Sequence, residues 1–118
     1  MNQYETKDSG QRQHYSSGMV RDLQDDKPDF ALVIPDGLDF EDQMFTRWAW
    51  LMTRGAAKYG KRNWEKARTW IEYNRFKASA FRHFMQWFNN LDDEDHAAAV
   101  FFNITAAEYV RSRKEYED

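Results

Sequence analysis

Between positions 55 and 66 the chain reads Gly55-Ala-Ala-Lys-Tyr-Gly-Lys-Arg-Asn-Trp-Glu-Lys66. These twelve residues combine two glycines, four cations, two large rings, an amide and a carboxylate. Such a set suits a ligand that carries both phosphates and a ring. Lys58, Lys61, Arg62 and Lys66 can neutralise phosphate oxygens. Tyr59 and Trp64 can stack on a base, and Asn63 can read a base edge or a sugar hydroxyl. Gly60 permits a backbone turn that a side chain would forbid. The same types also fit an ordinary helix end, where cations complement the helix dipole and a glycine caps it.

A second group is Arg82-His83 with Asp92-Asp93-Glu94-Asp95-His96 and Asn103. His96 and Asn103 are seven apart, on one helical face, and Asp93 lies three before His96, close enough to share a ligand. An antiparallel second and third helix, joined by a short turn at Asn89–Leu91, would bring Arg82-His83 level with His96 to Ala98. Acids and imidazoles in one interhelical cleft can bind a hard divalent cation, which neutralises phosphates and activates water. An acidic run also reads as a solvated helix start, and a lone histidine on a helix as a structural one. Other templates are missing. The chain has no glycine-rich P-loop with its lysine, no GxGxxG and no HExxH, and Ser16-Ser17 lack the strand-turn-helix context of a nucleophile elbow.

The elements that must position these residues are helices. Asp39 is placed to cap a first helix from about Phe40 to Lys58, whose stripe is Phe40, Met44, Trp48, Leu51 and Gly55, with Trp50 off the stripe and free to face a partner. The spacing predicts a second helix over about Thr69–Asn89, with Tyr73, Phe76, Ala80, Phe84 and Trp87 on one stripe and Phe81 and Phe88 on a second ridge. The acids at 92–95 open a third helix, in whose first turn they suit the dipole. Its apolar face is Ala97, Val100, Phe101, Ile104, Ala107 and Val110, and Ala97-Ala98-Ala99 lets another backbone come close. The charged end from Arg111 to Asp118 is expected to fray.

Residues 1–17 are polar, lack apolar periodicity and read as a flexible N-terminal arm, leaving 18–118 as the folded domain. Asp25-Asp26-Lys27-Pro28 marks a tight turn. Phe30 to Ile34, between Pro28 and Pro35, reads as an ordered loop or strand-like segment with no second strand to make a sheet. The expected fold class is therefore all-α, a small bundle of three main helices.

Composition narrows the function classes. At 118 residues the chain is one domain. It carries twenty aromatic residues, 17% of the total, so rings must line a core, a pocket or a subunit interface, and exposed ring surface favours self-association. A net charge of −3 argues against a non-specific nucleic-acid sheath. The absence of cysteine removes disulfides and thiolate metal sites. No apolar run approaches the ~20 residues that span a bilayer, and the N-terminus has no signal-peptide apolar stretch. A soluble intracellular protein is expected, without nucleic acid or membrane as partner.

Three of these segments together resemble the phage dATP/dGTP diphosphohydrolases. Ser17-Gly-Met-Val-Arg-Asp22, Asp26-Lys-Pro28 and Leu32–Pro35 are similar to the opening of that family. Gly55–Lys66 is similar to its central motif, and Arg82-His83 with Asp93-Glu-Asp-His96 and Asn103 to its last. The resemblance runs from about Ser17 to Glu108, and the order and spacing of the three motifs make it specific. It implies a MazG-like, all-α fold completed by oligomerisation into a dimer or tetramer, and a metal-dependent pyrophosphohydrolase. Phage members, called MazZ, convert dGTP to dGMP for 2-aminoadenine (diaminopurine) nucleotide synthesis, which implies work in the cytoplasm of an infected host. A purine deoxynucleoside triphosphate, dGTP or dATP, is the implied substrate, and Mg2+, Mn2+ or Co2+ the implied cofactor.

One departure bears on the metal. MazG-like enzymes hold metals with ExxE and ExxD, whereas this chain has no ExxE, and its ExxD pairs are Glu5–Asp8 and Glu115–Asp118, near the termini. The ligands expected instead are Asp93, Glu94, Asp95, His83 and His96. Glu94 and Asp95, with His96, are the expected catalytic groups, a carboxylate holding the water that attacks the α-phosphorus. Arg21, Lys58, Lys66 and Arg82 would hold the phosphates, Tyr59, Asn63 and Trp64 the nucleoside, and Asn103 is a further expected substrate-binding residue. Two readings of other classes remain: a non-catalytic nucleotide sensor with the same pocket, and a helical interaction module whose rings are all core and interface.

Overall fold

A computed structural model describes residues 5–23 and 27–113. The turn expected at Asp25-Asp26, the first four residues of the arm and the chain from Lys114 onward, Glu115–Asp118 included, lie outside the described residues. The chain divides into two compact units, Met1–Asp36 and Gly37–Asp118.

The first unit contains a sheet that the periodicity does not predict. Strand β1, Arg12–His14, pairs antiparallel with β2, Val20–Asp22, with Arg12 opposite Asp22 and His14 opposite Val20. The connection turns at Gly18, whose φ of +92° lies in the region that favours glycine, and the Gly18 N–H donates to the Tyr15 carbonyl at 2.9 Å. Polar bonds clasp the ribbon: the Ser9 N–H donates to the Asp22 carboxylate at 2.8 Å, and the Arg12 guanidinium reaches Asp8 at 2.8 Å and Asp22 at 3.2 Å. Such a ribbon buries no apolar face, so no alternation of hydrophobic residues marks it. The stretch between the two prolines is also corrected. Phe30–Val33 is a 3-10 turn whose Ala31 N–H is capped by the Asp29 side chain at 3.1 Å, and Pro28 and Pro35 flank it without interrupting it.

The second unit is the helical bundle that the 3.6-residue periodicity predicts. Its helices are α1, Met44–Tyr59; α2, Trp70–Phe88; and α3, His96–Arg113. Helix α1 starts four residues later than expected. Phe40–Asp42 is a separate 3-10 turn, Asp39 precedes that turn without a side-chain cap bond, and extended Gln43 separates the turn from the helix. Helix α2 opens on a reciprocal capping box: the Glu72 N–H donates to Thr69 Oγ at 3.2 Å and the Thr69 N–H to the Glu72 carboxylate at 3.0 Å. The third helix begins at His96, so the acids at 92–95 precede its first turn instead of occupying it. Asp95 takes the capping position, accepting the Ala98 N–H on its side chain at 3.0 Å.

Helix α3 is the centre of the bundle, with both α1 and α2 packed on it. Its buried apolar residues are small, Ala98, Ala99, Ala106 and Ala107, followed by Val110, and His96 and Asn103 are its buried polar ones. Alanine keeps helix axes close, which is how one helix can serve two neighbours. The expected apolar face is thereby corrected, because Phe101 and Ile104 are exposed while Ala98, Asn103 and Ala106 are buried. No helix among the described residues is long and apolar enough to cross a membrane.

Candidate active site

A cavity of about 580 Å³ opens between α1 and α2, with α3 as its floor. Its wall on α1 is Leu51, Met52, Arg54, Gly55, Ala56 and Lys58. The chain then turns at Gly60, with φ +92°, and Arg62, with a left-handed φ of 59°, into a 3-10 turn at Asn63–Lys66. This turn folds Tyr59, Gly60, Arg62, Asn63 and Trp64 onto the rim. Helix α2 contributes Phe76, Ser79 and His83, the loop before α3 contributes Glu94, and α3 supplies Ala99, Phe102 and Asn103. The three sequence segments with chemical promise in the bundle thus meet in one place.

Charge is divided across this cavity. Arg54, Lys58 and Arg62 are its cations and Glu94 its anion. Arg62 also pairs with Glu65 at 2.6 Å, and the Lys58 ammonium lies 5.1 Å from the Tyr59 ring centroid. Glu94 makes no side-chain hydrogen bond or ion pair among the described residues, which leaves its carboxylate available to a ligand. The ring wall is set by edge contacts: Trp64 meets Phe102 at 5.8 Å and Tyr109 at 5.3 Å, and Phe76 meets Phe102 at 6.0 Å. Asn103 is 6% exposed, and its Nδ2 donates to the Ala99 carbonyl at 2.8 Å. That bond fixes the amide and leaves Oδ1 as an acceptor. At Gly55 no atom lies within 4 Å of where a Cβ would stand, so the wall is open there.

Behind the cavity, a chain of hydrogen bonds ties the two histidines together. Arg82 Nη2 lies 3.3 Å from His83 Nε2, His83 Nδ1 lies 2.9 Å from His96 Nδ1, and His96 Nε2 lies 2.8 Å from Asp93 Oδ1. A guanidinium can only donate and a carboxylate only accept, so one assignment satisfies every link. Arg82 donates to His83 Nε2, His83 Nδ1–H donates to His96 Nδ1, and His96 Nε2–H donates to Asp93. Burial pushes the His83 pKa down, reinforced by the Arg82 charge, and the His96 hydrogen bond holds the Asp93 carboxyl below its ordinary range. Asp95 is occupied elsewhere. Arg47 of α1 grips it in two parallel bonds, Nε at 2.9 Å and Nη2 at 2.7 Å, which lower its pKa and fasten α1 to the start of α3.

The sequence-predicted residues therefore fall into two groups. Lys58, Tyr59, Asn63, Trp64, His83, Glu94 and Asn103 line the cavity. Lys66, Arg82, Asp93, Asp95 and His96 do not line it: Lys66 ends the 3-10 turn, Asp95 clamps α1, and Arg82, Asp93 and His96 form the chain behind His83, with His96 only 2% exposed. Arg21 lies on β2 of the first unit, where it is exposed. Sequence reasoning missed Arg54, Ser79, Phe76 and Phe102 as cavity residues. Arg54 had a signal, since it stands four residues before Lys58 on the same helical face.

As for a metal, no group of three or more His, Asp or Glu side chains among the described residues is arranged to hold one. Four of the five expected ligands are spent on each other or on Arg47, so this donor set does not fit an all-protein cage.

Comparison with curated proteins found no match, and comparison with solved structures found none. Residues 17–118 match the family described as dATP/dGTP diphosphohydrolase, N-terminal. That match takes in the cavity and every element that forms it, and the chain belongs to this family of nucleotide-hydrolysing enzymes.

Proposed function

We propose that this chain hydrolyses a purine deoxynucleoside triphosphate, dGTP or dATP, to the monophosphate and pyrophosphate. One observation carries the reading: a single cavity of nucleotide size gathers three cations, aromatic rings, two amides and an unpaired carboxylate. In this reading Arg54, Lys58 and Arg62 hold the triphosphate. Tyr59 stacks on the base while Trp64 and Phe102 form the apolar wall. Asn63 and the acceptor oxygen of Asn103 take hydrogen bonds from the base or the sugar. Glu94 orients the water that attacks the α-phosphorus. The α–β bridging bond breaks, and the pyrophosphate leaves with its charge balanced by the cations of α1. A divalent cation entering with the substrate would supply further charge neutralisation at the phosphates, with Glu94 as its protein carboxylate. Behind them, Asp93 and His96 keep the His83 ring oriented on the cavity wall.

The wider role that goes with this reading is supply of dGMP for 2-aminoadenine nucleotide synthesis, by a homo-oligomer in the cytoplasm of a phage-infected cell. The test is a panel of the four deoxynucleoside triphosphates against Mg2+, Mn2+ and Co2+, with products resolved. Monophosphate and pyrophosphate in equal amounts from a purine substrate are expected. Stepwise release of phosphate, or binding of nucleotide without turnover under every metal, would overturn the proposal; the latter would leave a sensor.

A further inference from the structure

Gly55 has no evident purpose in the protein itself. It stands inside α1, where glycine is the poorest helix former apart from proline. A glycine is usually needed for a left-handed backbone or for the close approach of another segment. Neither reason applies. Gly55 is not among the residues with positive φ, and no described atom outside its own stretch of α1 lies within 4 Å of where a Cβ would stand. It is half-buried, and the space it leaves open belongs to the cavity of about 580 Å³.

Helical spacing sorts what α1 shows this cavity into two rows. Arg54 and Lys58, four apart, form a row of cations that Arg62 continues beyond Gly60. Leu51, Gly55 and Tyr59, also four apart, form an apolar and aromatic row turned about 100° from the first. A nucleotide has the same two parts, a charged tail and a flat ring. With the phosphates along the first row, the base lies along the second, stacked on Tyr59 and reaching into the gap at Gly55. Leu51 and Tyr59 are full-sized, so the gap is one residue wide.

We propose that Gly55 is the specificity-determining residue for base size. The open position admits the fused second ring of a purine, whereas a side chain there would leave room for the single ring of a pyrimidine. The inference rests on the nucleotide reading of the cavity and adds to it the position that selects the base. Because an added Cβ meets no described protein atom within 4 Å, a substitution acts on the ligand and spares the packing.

The experiment compares wild type, Gly55→Ala and Gly55→Val on dGTP, dATP, dCTP and dTTP. Steady-state kinetics with Mg2+ give kcat and KM, and titration calorimetry with the metal chelated gives Kd without turnover. Gly55→Ala is expected to raise KM and Kd for both purines about tenfold, the low end of what one methylene does in a fitted pocket, and those of the pyrimidines less than about threefold. Gly55→Val should lower the purine preference further. Both variants should melt no lower than wild type, since each replaces the poorer helix former in open space, which separates a filled pocket from a lost fold. Ala57→Val, on the same helix but outside the cavity, is the control and should leave all four nucleotides unchanged. A purine preference that neither Gly55 variant alters would overturn the inference. So would an equal loss for all four nucleotides, which would put the phosphates at Gly55. In either case continued purine turnover by the wild type keeps the proposed activity. Purine binding that is selective through Gly55 but never leads to hydrolysis removes that activity and keeps the inference. A wild type that binds no nucleotide overturns both.

Discussion

The bidentate bond between Arg47 and Asp95 is the point at which the fold of the bundle and the position of Glu94 are coupled. Asp95 does two things at once: it accepts the Ala98 N–H at 3.0 Å and binds the Arg47 guanidinium at 2.7 and 2.9 Å. Losing the cap costs about 1 kcal/mol. A fully buried charge-assisted pair would add more, but the side chains of Arg47 and Asp95 are 36% and 21% exposed. Solvent screening discounts the pair to roughly 1 kcal/mol. Asp95→Ala removes both and should cost about 2 kcal/mol, while Asp95→Asn keeps a good capping residue and should cost about half that. For a unit of this size the alanine variant should melt on the order of 10 °C lower and the asparagine variant about half as far, at fixed protein concentration. The Arg47 bond lowers the Asp95 pKa, so the pair's contribution is complete above the ordinary carboxyl value of 3.8 and is lost as pH falls through the lower folded value. The gap between wild type and Asp95→Asn should therefore close below pH 3.8. Thermal melts followed at 222 nm (a standard helix signal) over a pH series read all of this. Equal losses for the two variants would refute the capping role, and a gap unchanged in acid would refute the ion pair. Turnover well below the melting temperature adds a further decision: a clamp loses little activity in Asp95→Asn, whereas a catalytic carboxylate loses about a hundredfold.

Other consequences are as direct. Glu94→Gln should lower turnover about a hundredfold or more with little change in helicity, because no other described side chain depends on Glu94; partial rescue by raised metal would mark it as a ligand, and wild-type turnover would remove it from the mechanism. Gly60→Ala should destabilise by about 1–2 kcal/mol in a denaturant titration, through backbone strain alone, since φ is +92° and nothing lies within 4 Å of the added Cβ. Gly55→Ala should do the opposite, raising stability by up to about 1 kcal/mol through helix propensity while weakening nucleotide binding by filling the open wall. Burial keeps His83 deprotonated in the fold below its ordinary value of 6.5, so the unfolded chain binds the extra proton and stability should fall as pH drops through 6.5; His83→Gln should flatten that slope.

Much of the bundle was legible in residue order because helices are short-range objects. Periodicities of three and four marked all three, and Gly60 marked the turn that ends α1. What failed had non-local or weakly patterned causes. The β1–β2 ribbon is held by Ser9, Arg12 and Asp22 through polar bonds, which leave no hydrophobic alternation. The start of α3 shifted to His96 because Asp95 is drawn into capping and into Arg47, a residue 48 positions away.

Taken by itself, the order of residues determined the all-helical class, several of the residues that line the cavity, and the level match of His83 with His96 across an antiparallel pair. Periodicity and turn chemistry act within a few residues, and those facts are local. Only the tertiary structure decided how the acids divide. Asp93 goes to His96, Asp95 goes to Arg47, and Glu94 alone is left facing the cavity with Arg54, Lys58 and Arg62. Four adjacent acids look alike in a sequence, because a carboxylate acquires its role from the partner that reaches it, and those partners come from other helices.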